Sequence, residues 1–295
     1  MPTFNAPRLA LAALACSPLV LAWNPGQGRF EGVEIRAQHV AGSVHMLEGA
    51  GGNLGVCAGP DGLVLIDDQF EALADKISAA LEQLSEGPLR YVLNTHYHGD
   101  HTGGNPAFGQ RAPILAHANV RQRLESGEAS AAMLEHGLPV ITYDDGVQVH
   151  ANGEVLRVVH YPACHTDGDS VVFFEHANVI HMGDMFFSGR FPYIDLDAGG
   201  SVRGLIAAVT EILAQADDET RIIPGHGALS SKADLAEYLD MLRTLQARVA
   251  AVLAEGATAE DMLRDDLFSD YAEWGTGYIN TEAWVHTLVR EAEGN

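Results

Sequence analysis

Six consecutive residues, His96-Tyr97-His98-Gly99-Asp100-His101, put three imidazoles and a carboxylate directly after a strand-like segment, Arg90 to Leu93. Core packing has no use for that density of polar rings, so the chain must fold with this strand end opening onto something the rings bind. In extended backbone, residues two apart point to the same side, so His96 and His98 converge on one cation. A turn at Gly99 brings Asp100 and His101 round to a second position beside it. Imidazole and carboxylate are ligands of Zn²⁺ and its first-row relatives, and the cluster contains no thiolate. Each of the two pairs still lacks ligands. Three places in the second half of the chain have the right chemistry in loops: His165 in Cys164-His165-Thr166-Asp167-Gly168-Asp169, Asp184 in His181-Met182-Gly183-Asp184, and His226 in Pro224-Gly225-His226-Gly227. His165 completes the first set, His226 completes the second, and Asp184 bridges them.

With 295 residues, 47% hydrophobic and 19% charged, the chain can bury a sizeable core, which excludes disorder, collagen and coiled coil. Short strands are expected at 34–39, 44–48, 55–58 and 63–66, with Pro60-Asp61-Gly62 as a turn. Apolar residues at helical spacing, Leu73, Ile77, Ala80, Leu81 and Leu84, predict a helix that Gly87-Pro88 ends. Strands at 90–93 and 113–116 follow, then one or two helices over 118–136. The second half restarts with strands at 147–150, 154–161, 170–175 and 178–181, with Asn152-Gly153 as a hairpin turn. A helix at 202–216, a strand at 221–223 and helices at 232–254 and 280–292 close the chain. Each half is thus strands, a helix, then a short strand opening into a His-bearing loop. That repetition predicts an α/β fold, a four-layer α/β/β/α sandwich, in one domain.

The whole set of loops resembles the metallo-β-lactamase superfamily of metallohydrolases, from about Val33 to Ala228. Its five motifs fall in order on Asp67, on His96 to His101, on His165, on Asp184 and on His226. The resemblance implies the αβ/βα sandwich and assigns His96, His98, Asp100, His101, His165, Asp184 and His226 as metal ligands. Asp100 and Asp184 are then also the catalytic carboxylates. Asp67 would support the metal loop, though a strand-end turn residue is an equally good reading of it. Many β-lactamases carry Cys where this chain has Asp184, whereas a bridging Asp is the pattern of glyoxalase II and of acyl-homoserine lactonases. His98 stands where the flavodiiron branch has Glu.

The implied activity is that of a dinuclear zinc hydrolase, with iron and manganese left open as the metal, in which a metal-bound hydroxide attacks an activated carbonyl of a small molecule. A β-lactam-like or lactone ring comes first among substrates. The alternatives are a thioester, as in glyoxalase II, and the chemistry of a mononuclear iron persulfide dioxygenase. The segment Phe186 to Tyr193, with Arg190, walls a substrate pocket or packs as a plain loop. Gly49 to Asn53 sits where the superfamily often has a flap over the metals. Trp274 and Tyr278 shape the pocket rim or simply pack.

Residues 1–22 read as a secretory signal peptide, with Arg8 before an apolar stretch from Leu9 to Ala22, leaving a mature domain over 23–295 with C-terminal helices. The stretch is interrupted by Pro18 and is shorter than the about 20 apolar residues a spanning helix needs. Export to the periplasm or outside is therefore expected, with no membrane association once the signal is removed. Glutathione thioesters are cytoplasmic compounds, so export is what puts lactams and lactones first. Lipidation of Cys16 and pairing of Cys57 with Cys164 both stay open. Forty acidic against 17 basic residues, a formal charge of -23, repel nucleic acid and anionic lipid.

Overall fold

A computed structural model describes residues 27–126 and 130–294. The expected signal peptide and Cys16 lie outside them. A seven-stranded sheet runs in the order β1 (Arg36–Ala41), β2 (Val44–Glu48), β3 (Leu54–Gly59), β4 (Gly62–Ile66), β5 (Leu89–Leu93), β6 (Ile114–His117) and β7 (Ile141–Tyr143). The second sheet has six strands: β8 (Gly146–Ala151), β9 (Glu154–His160), β10 (Ser170–Phe174), β11 (Val179–His181), β12 (Arg221–Ile223) and β13 (Ser230–Ser231), in the spatial order 13-12-11-10-9-8. Pairing is antiparallel except that β4, β5, β6 and β7 run parallel to their neighbours in turn, and β11 runs parallel to β12.

The helices are α1 (Gln27–Phe30), α2 (Ala74–Leu84), α3 (Gly99–Thr102), α4 (Asn105–Phe108), α5 (Ala118–Ser126), α6 (Val202–Gln215), α7 (Lys232–Ala254), α8 (Ala259–Arg264) and α9 (Thr281–Ala292). Alternation along the strands builds the layers. On β4, Val64 and Ile66 face the other sheet with Val172, Phe174 and Leu156, while Leu63 and Leu65 face outward onto Ile77 and Leu81 of α2. On β10, Val171 and Phe173 face outward among residues of α6, α7 and α9, including Leu205, Leu242 and Trp284. Two sheets packed face to face with helices outside give the expected four layers.

Local signals set the ends. Asn152 and Gly153 both have positive φ (57° and 72°), the hairpin turn expected between β8 and β9. Ser231 and Asp234 close a capping box on α7, and the Asn280 side chain caps α9 by accepting from the Ala283 N–H. Of the one or two helices expected over 118–136, two helical pieces form: α5, which ends at Ser126, and a π-helical turn at Met133–Gly137. Strand β7, the short helix α8 and the 3-10 segment Ser269–Thr276 are additions to the expected elements.

Candidate metal centre

All seven predicted ligands meet at one end of the sandwich. His96, His98, His165 and Asp184 offer ligand atoms within 4.8 Å of one another, and so do Asp100, His101 and His226. The first loop brings His96 and His98 together as expected, but through a bend and not through extended alternation. After β5 the chain bends through Thr95, His96 and Tyr97, and His98, extended at φ -62° and ψ 148°, is the N-cap of α3. The helical turn then carries Asp100 and His101 to the second position.

Asp184 sits in a 3-10 turn, Gly183–Met185, directly after β11. One carboxylate oxygen, Oδ2, faces His96 Nε2 at 3.8 Å and His165 Nε2 at 3.5 Å. The other, Oδ1, lies 3.0 Å from His101 Nε2 and 3.3 Å from His226 Nε2. The bridge between the two sets is therefore literal. Asp100 Oδ2 joins the second set, 3.3 Å from His226 Nε2.

Hydrogen bonds fix which ring nitrogen faces inward, and the tautomers follow from the network. His101 Nδ1 donates to Asp67 Oδ2 at 2.8 Å, and His165 Nδ1 donates to the Tyr193 carbonyl at 2.7 Å. His98 Nε2 donates to Asp195 Oδ2 at 3.0 Å, an oxygen that also accepts from Tyr97 Oη at 2.6 Å. The Thr95 hydroxyl donates to Asp67 Oδ2 at 2.7 Å, so its oxygen accepts from His96 Nδ1 at 3.0 Å. Asp67 is thus the support of the metal loop, held at φ 61° beyond the end of β4 and fully buried. Asp195 does for His98 what Asp67 does for His101, and no motif in the sequence announces it.

The inward atoms are then left short of partners. His96 Nε2, His101 Nε2 and Asp184 Oδ1 are buried without a hydrogen bond, the His101–Asp184 approach being short but misaligned. His98 Nδ1 and His165 Nε2 face each other at 2.8 Å, two lone pairs that are stable together only with a proton or a cation between them. Buried unpartnered acceptors cost free energy, and a pair of divalent cations would satisfy all of them with nitrogen and oxygen donors. The residues fit zinc or a first-row relative. Cys164 stays out of the set, its Sγ turned to the Pro162 carbonyl, and Cys57 and Cys164 are both buried free thiols.

Burial and charge divide the rings. Burial holds His96 well below the ordinary imidazole pKa and His165 down to about 4. At His101 and His226 burial also pulls downward, but Asp184 and Asp100 outweigh it, raising His101 well above normal and His226 to about 9. At Asp184 burial pulls upward, and His101 and His226 win, holding it well below the carboxylate range.

Packing around the centre is close. A Cβ on Gly52 would overlap the His101 ring, and one on Gly225 would overlap Asp184 Oδ1. The Gly49 to Asn53 loop is therefore a wall of the site. Asn53 crosses to the other half, donating to the carbonyls of Pro224 and Gly227 at 3.0 and 2.9 Å and so clasping the His226 loop. A cavity of about 570 Å³ opens onto Asp100, Asp184 and His226, and Phe187, Arg190, Phe191 and Tyr193 wall it. Phe187 stacks on His226 with centroids 5.1 Å apart. Of the two C-terminal aromatics, Tyr278 reaches the rim, while Trp274 packs on Tyr238.

Over 141 residues the chain is 33% identical to a hydroxyacylglutathione hydrolase of Nitrosococcus oceani, covering 47% of this chain and 48% of that protein. It is 28% identical over 188 residues to an atrochrysone carboxyl ACP thioesterase of Aspergillus terreus, covering 63% and 52%. The chain thus spans about half the length of these curated relatives. A metallo-beta-lactamase from Pontibacter korlensis superposes with a TM-score of 0.61 at 16% identity, over 71% of this chain and 99% of that one, which establishes the fold. Residues 50–226, which hold every metal-facing side chain described above, match the family model of the metallo-beta-lactamase superfamily, and the chain belongs to that superfamily.

Proposed function

We propose that this protein is a dinuclear zinc hydrolase acting on an activated acyl compound, with a thioester as its first substrate class. The observation that carries the reading is Asp184, whose two oxygens divide between two histidine sets with unpartnered buried atoms. His96, His98, His165 and Asp184 would hold one ion, and Asp100, His101, His226 and Asp184 the other. Two cations held there supply Lewis acidity towards the scissile carbonyl and bring the pKa of water towards ~7.

The chain's own residues do the rest. Asp184 fixes the spacing of the two sets. Asp100 is 30% exposed, faces the cavity, and keeps its carboxyl below the usual range: burial raises it, and His101 and His226 outweigh that. It is ionised at neutral pH and accepts a proton from the attacking water at Oδ1, leaving Oδ2 to the ligand set. Phe187 and Phe191 exclude bulk water from one side of the cavity.

Export favours a lactam or lactone, but the names of the relatives, a glutathione thioester hydrolase and an acyl carrier protein thioesterase, favour the thioester, and we rank it first. The lactam or lactone is the second reading, together with the exported location. A mononuclear iron oxygenase would leave one of the two sets unused. The test measures metal content and turnover on the zinc-loaded protein and on the same protein stripped by chelator. Its substrates are an S-acyl glutathione, an S-acyl N-acetylcysteamine, a homoserine lactone and a chromogenic cephalosporin. Chelator-sensitive thioester cleavage with a pair of zinc ions per chain is expected. Iron at one per chain without thioester cleavage overturns the reading.

A further inference from the structure

We propose that Arg29 makes the cavity selective for a substrate that carries an oxyanion, a carboxylate or a phosphate, at a distance from the scissile bond. The proposal rests on the hydrolase reading of the site. Arg29 and Arg190 both line the cavity, and among the described residues neither has a carboxylate partner. Arg121, Arg123, Arg157, Arg248, Arg264 and Arg290 are each in an ion pair, and the other described arginines that have none, Arg36, Arg90, Arg111, Arg203, Arg221 and Arg243, do not line this cavity. In a chain of charge -23, two guanidinium groups without a carboxylate partner on one cavity make a local positive site. Screening confines the repulsion of distant carboxylates to about 8 Å, so the local charge decides what enters.

The position of Arg29 is built. Its guanidinium lies over the rings of Phe30 and Phe70, 5.3 and 5.7 Å from their centroids, and the two rings themselves pack at 4.9 Å. Phe70 is itself a lining residue, three positions beyond Asp67. The segment that carries Arg29 is tied down by Lys76 of α2, whose ammonium donates to the carbonyls of Phe30, Glu31 and Val33 at 3.0, 2.9 and 2.7 Å. Three carbonyls at the end of α1 on one cation hold that turn beside the site. A guanidinium presents a planar fork that matches an oxyanion with two hydrogen bonds. Tyr278, 87% exposed, also stands at the rim, against Tyr193 with centroids 6.4 Å apart. Arg29 and Tyr278 both lie outside residues 50–226, so the chain segments flanking the family-matched region set what the shared centre accepts.

The experiment uses the zinc-loaded full chain and two thioesters with the same acyl group, one of thioglycolate and one of thioglycolamide. The KM ratio favours the carboxylate in the wild type. Arg29→Gln collapses that ratio by about tenfold, Arg29→Lys restores part of it, and Lys76→Met, which frees the segment, lowers it less than Arg29→Gln does. Calorimetric binding of (benzylthio)acetate, of its amide and of 2-(benzylthio)ethyl phosphate reads the same preference without turnover. If neither thioester is cleaved, the hydrolase reading fails while the binding arm still decides this inference. The stronger binder between carboxylate and phosphate names the source of the oxyanion. Equal affinity of acid and amide, or a preference that Arg29→Gln leaves intact, overturns the proposal.

Discussion

His96, His98, Asp100 and His101 come from six consecutive residues of the first half, whereas the second half delivers His165, Asp184 and His226 from three separate loops. The first group is arranged by local geometry, a bend followed by one helical turn, and is anchored within its own half by Asp67, His98 excepted, which Asp195 of the second half holds. The second group is arranged by long-range contacts. The loop of His226 is clasped by Asn53 from the other half, and His165 is oriented by the Tyr193 carbonyl. A compact motif can therefore be preformed, while its partners exist only once the two sheets have docked.

Asp184→Asn is the most damaging way to break that comparison, because Asp184 turns one oxygen to each of the two ligand sets. The substitution keeps the volume and removes the charge that the two proposed ions would share. Activity is expected to fall by orders of magnitude, with the far-ultraviolet circular dichroism unchanged and less metal retained per chain.

The supports come next. Asp67→Asn removes the acceptor of His101 and of the Thr95 hydroxyl at a fully buried site, and Asp195→Asn removes that of His98 and of the Tyr97 hydroxyl at a less buried one. Each is expected to cost about 10–100-fold in metal affinity or activity, with Asp67→Asn the larger, in zinc titrations against a competing chelator.

Asn53→Ala cuts the clasp between halves, leaving the Pro224 and Gly227 carbonyls without their donor. A loss of ~1–3 kcal/mol in denaturant unfolding is expected, with metal released from the His226 set before the His96 set. Loss of both ions together would show that the halves do not act separately.

Legibility followed the same division. The motif His96 to His101 and the layer pattern of β4 and β10 could be read directly, since alternation and ligand spacing are local. Of the ligand supports, Asp67 stood as either a support or a turn residue until its bonds to Thr95 and His101 were seen. Asp195 could not be read at all: it meets His98 across 97 positions, in a segment, Tyr193-Ile194-Asp195, that carries no pattern. Strand β7 escaped for a different reason. Three residues at a sheet edge, two of them exposed, carry no alternation.

The smallest expected effect tests the joint between the halves away from the metals. His117, at the end of β6, stacks on His160, at the end of β9, with centroids 3.6 Å apart and planes 10° from parallel. His117 Nδ1 accepts from the Asn119 N–H at 3.2 Å, and His160 Nδ1 donates to the Asp169 carbonyl at 2.8 Å, so His117 in particular is held in its neutral form. Burial lowers both pKa values, and at His117 the neighbouring His160 lowers it further, although Asp144 and Asp167 pull the other way. Both rings therefore take up protons more readily in the unfolded chain, and stability rises with pH wherever that is so. The stabilisation is complete above the unfolded imidazole value of about 6.5 and is lost as pH falls below it towards the folded values. Urea unfolding of the zinc-loaded wild type and of His117→Asn/His160→Gln, at about pH 7.5 and about pH 5, isolates the joint from the metal ligands common to both. The wild type should lose more stability on acidification than the double variant. If the two lose the same amount, the stacked pair carries no pH dependence, and the joint between the sheets rests on apolar packing alone.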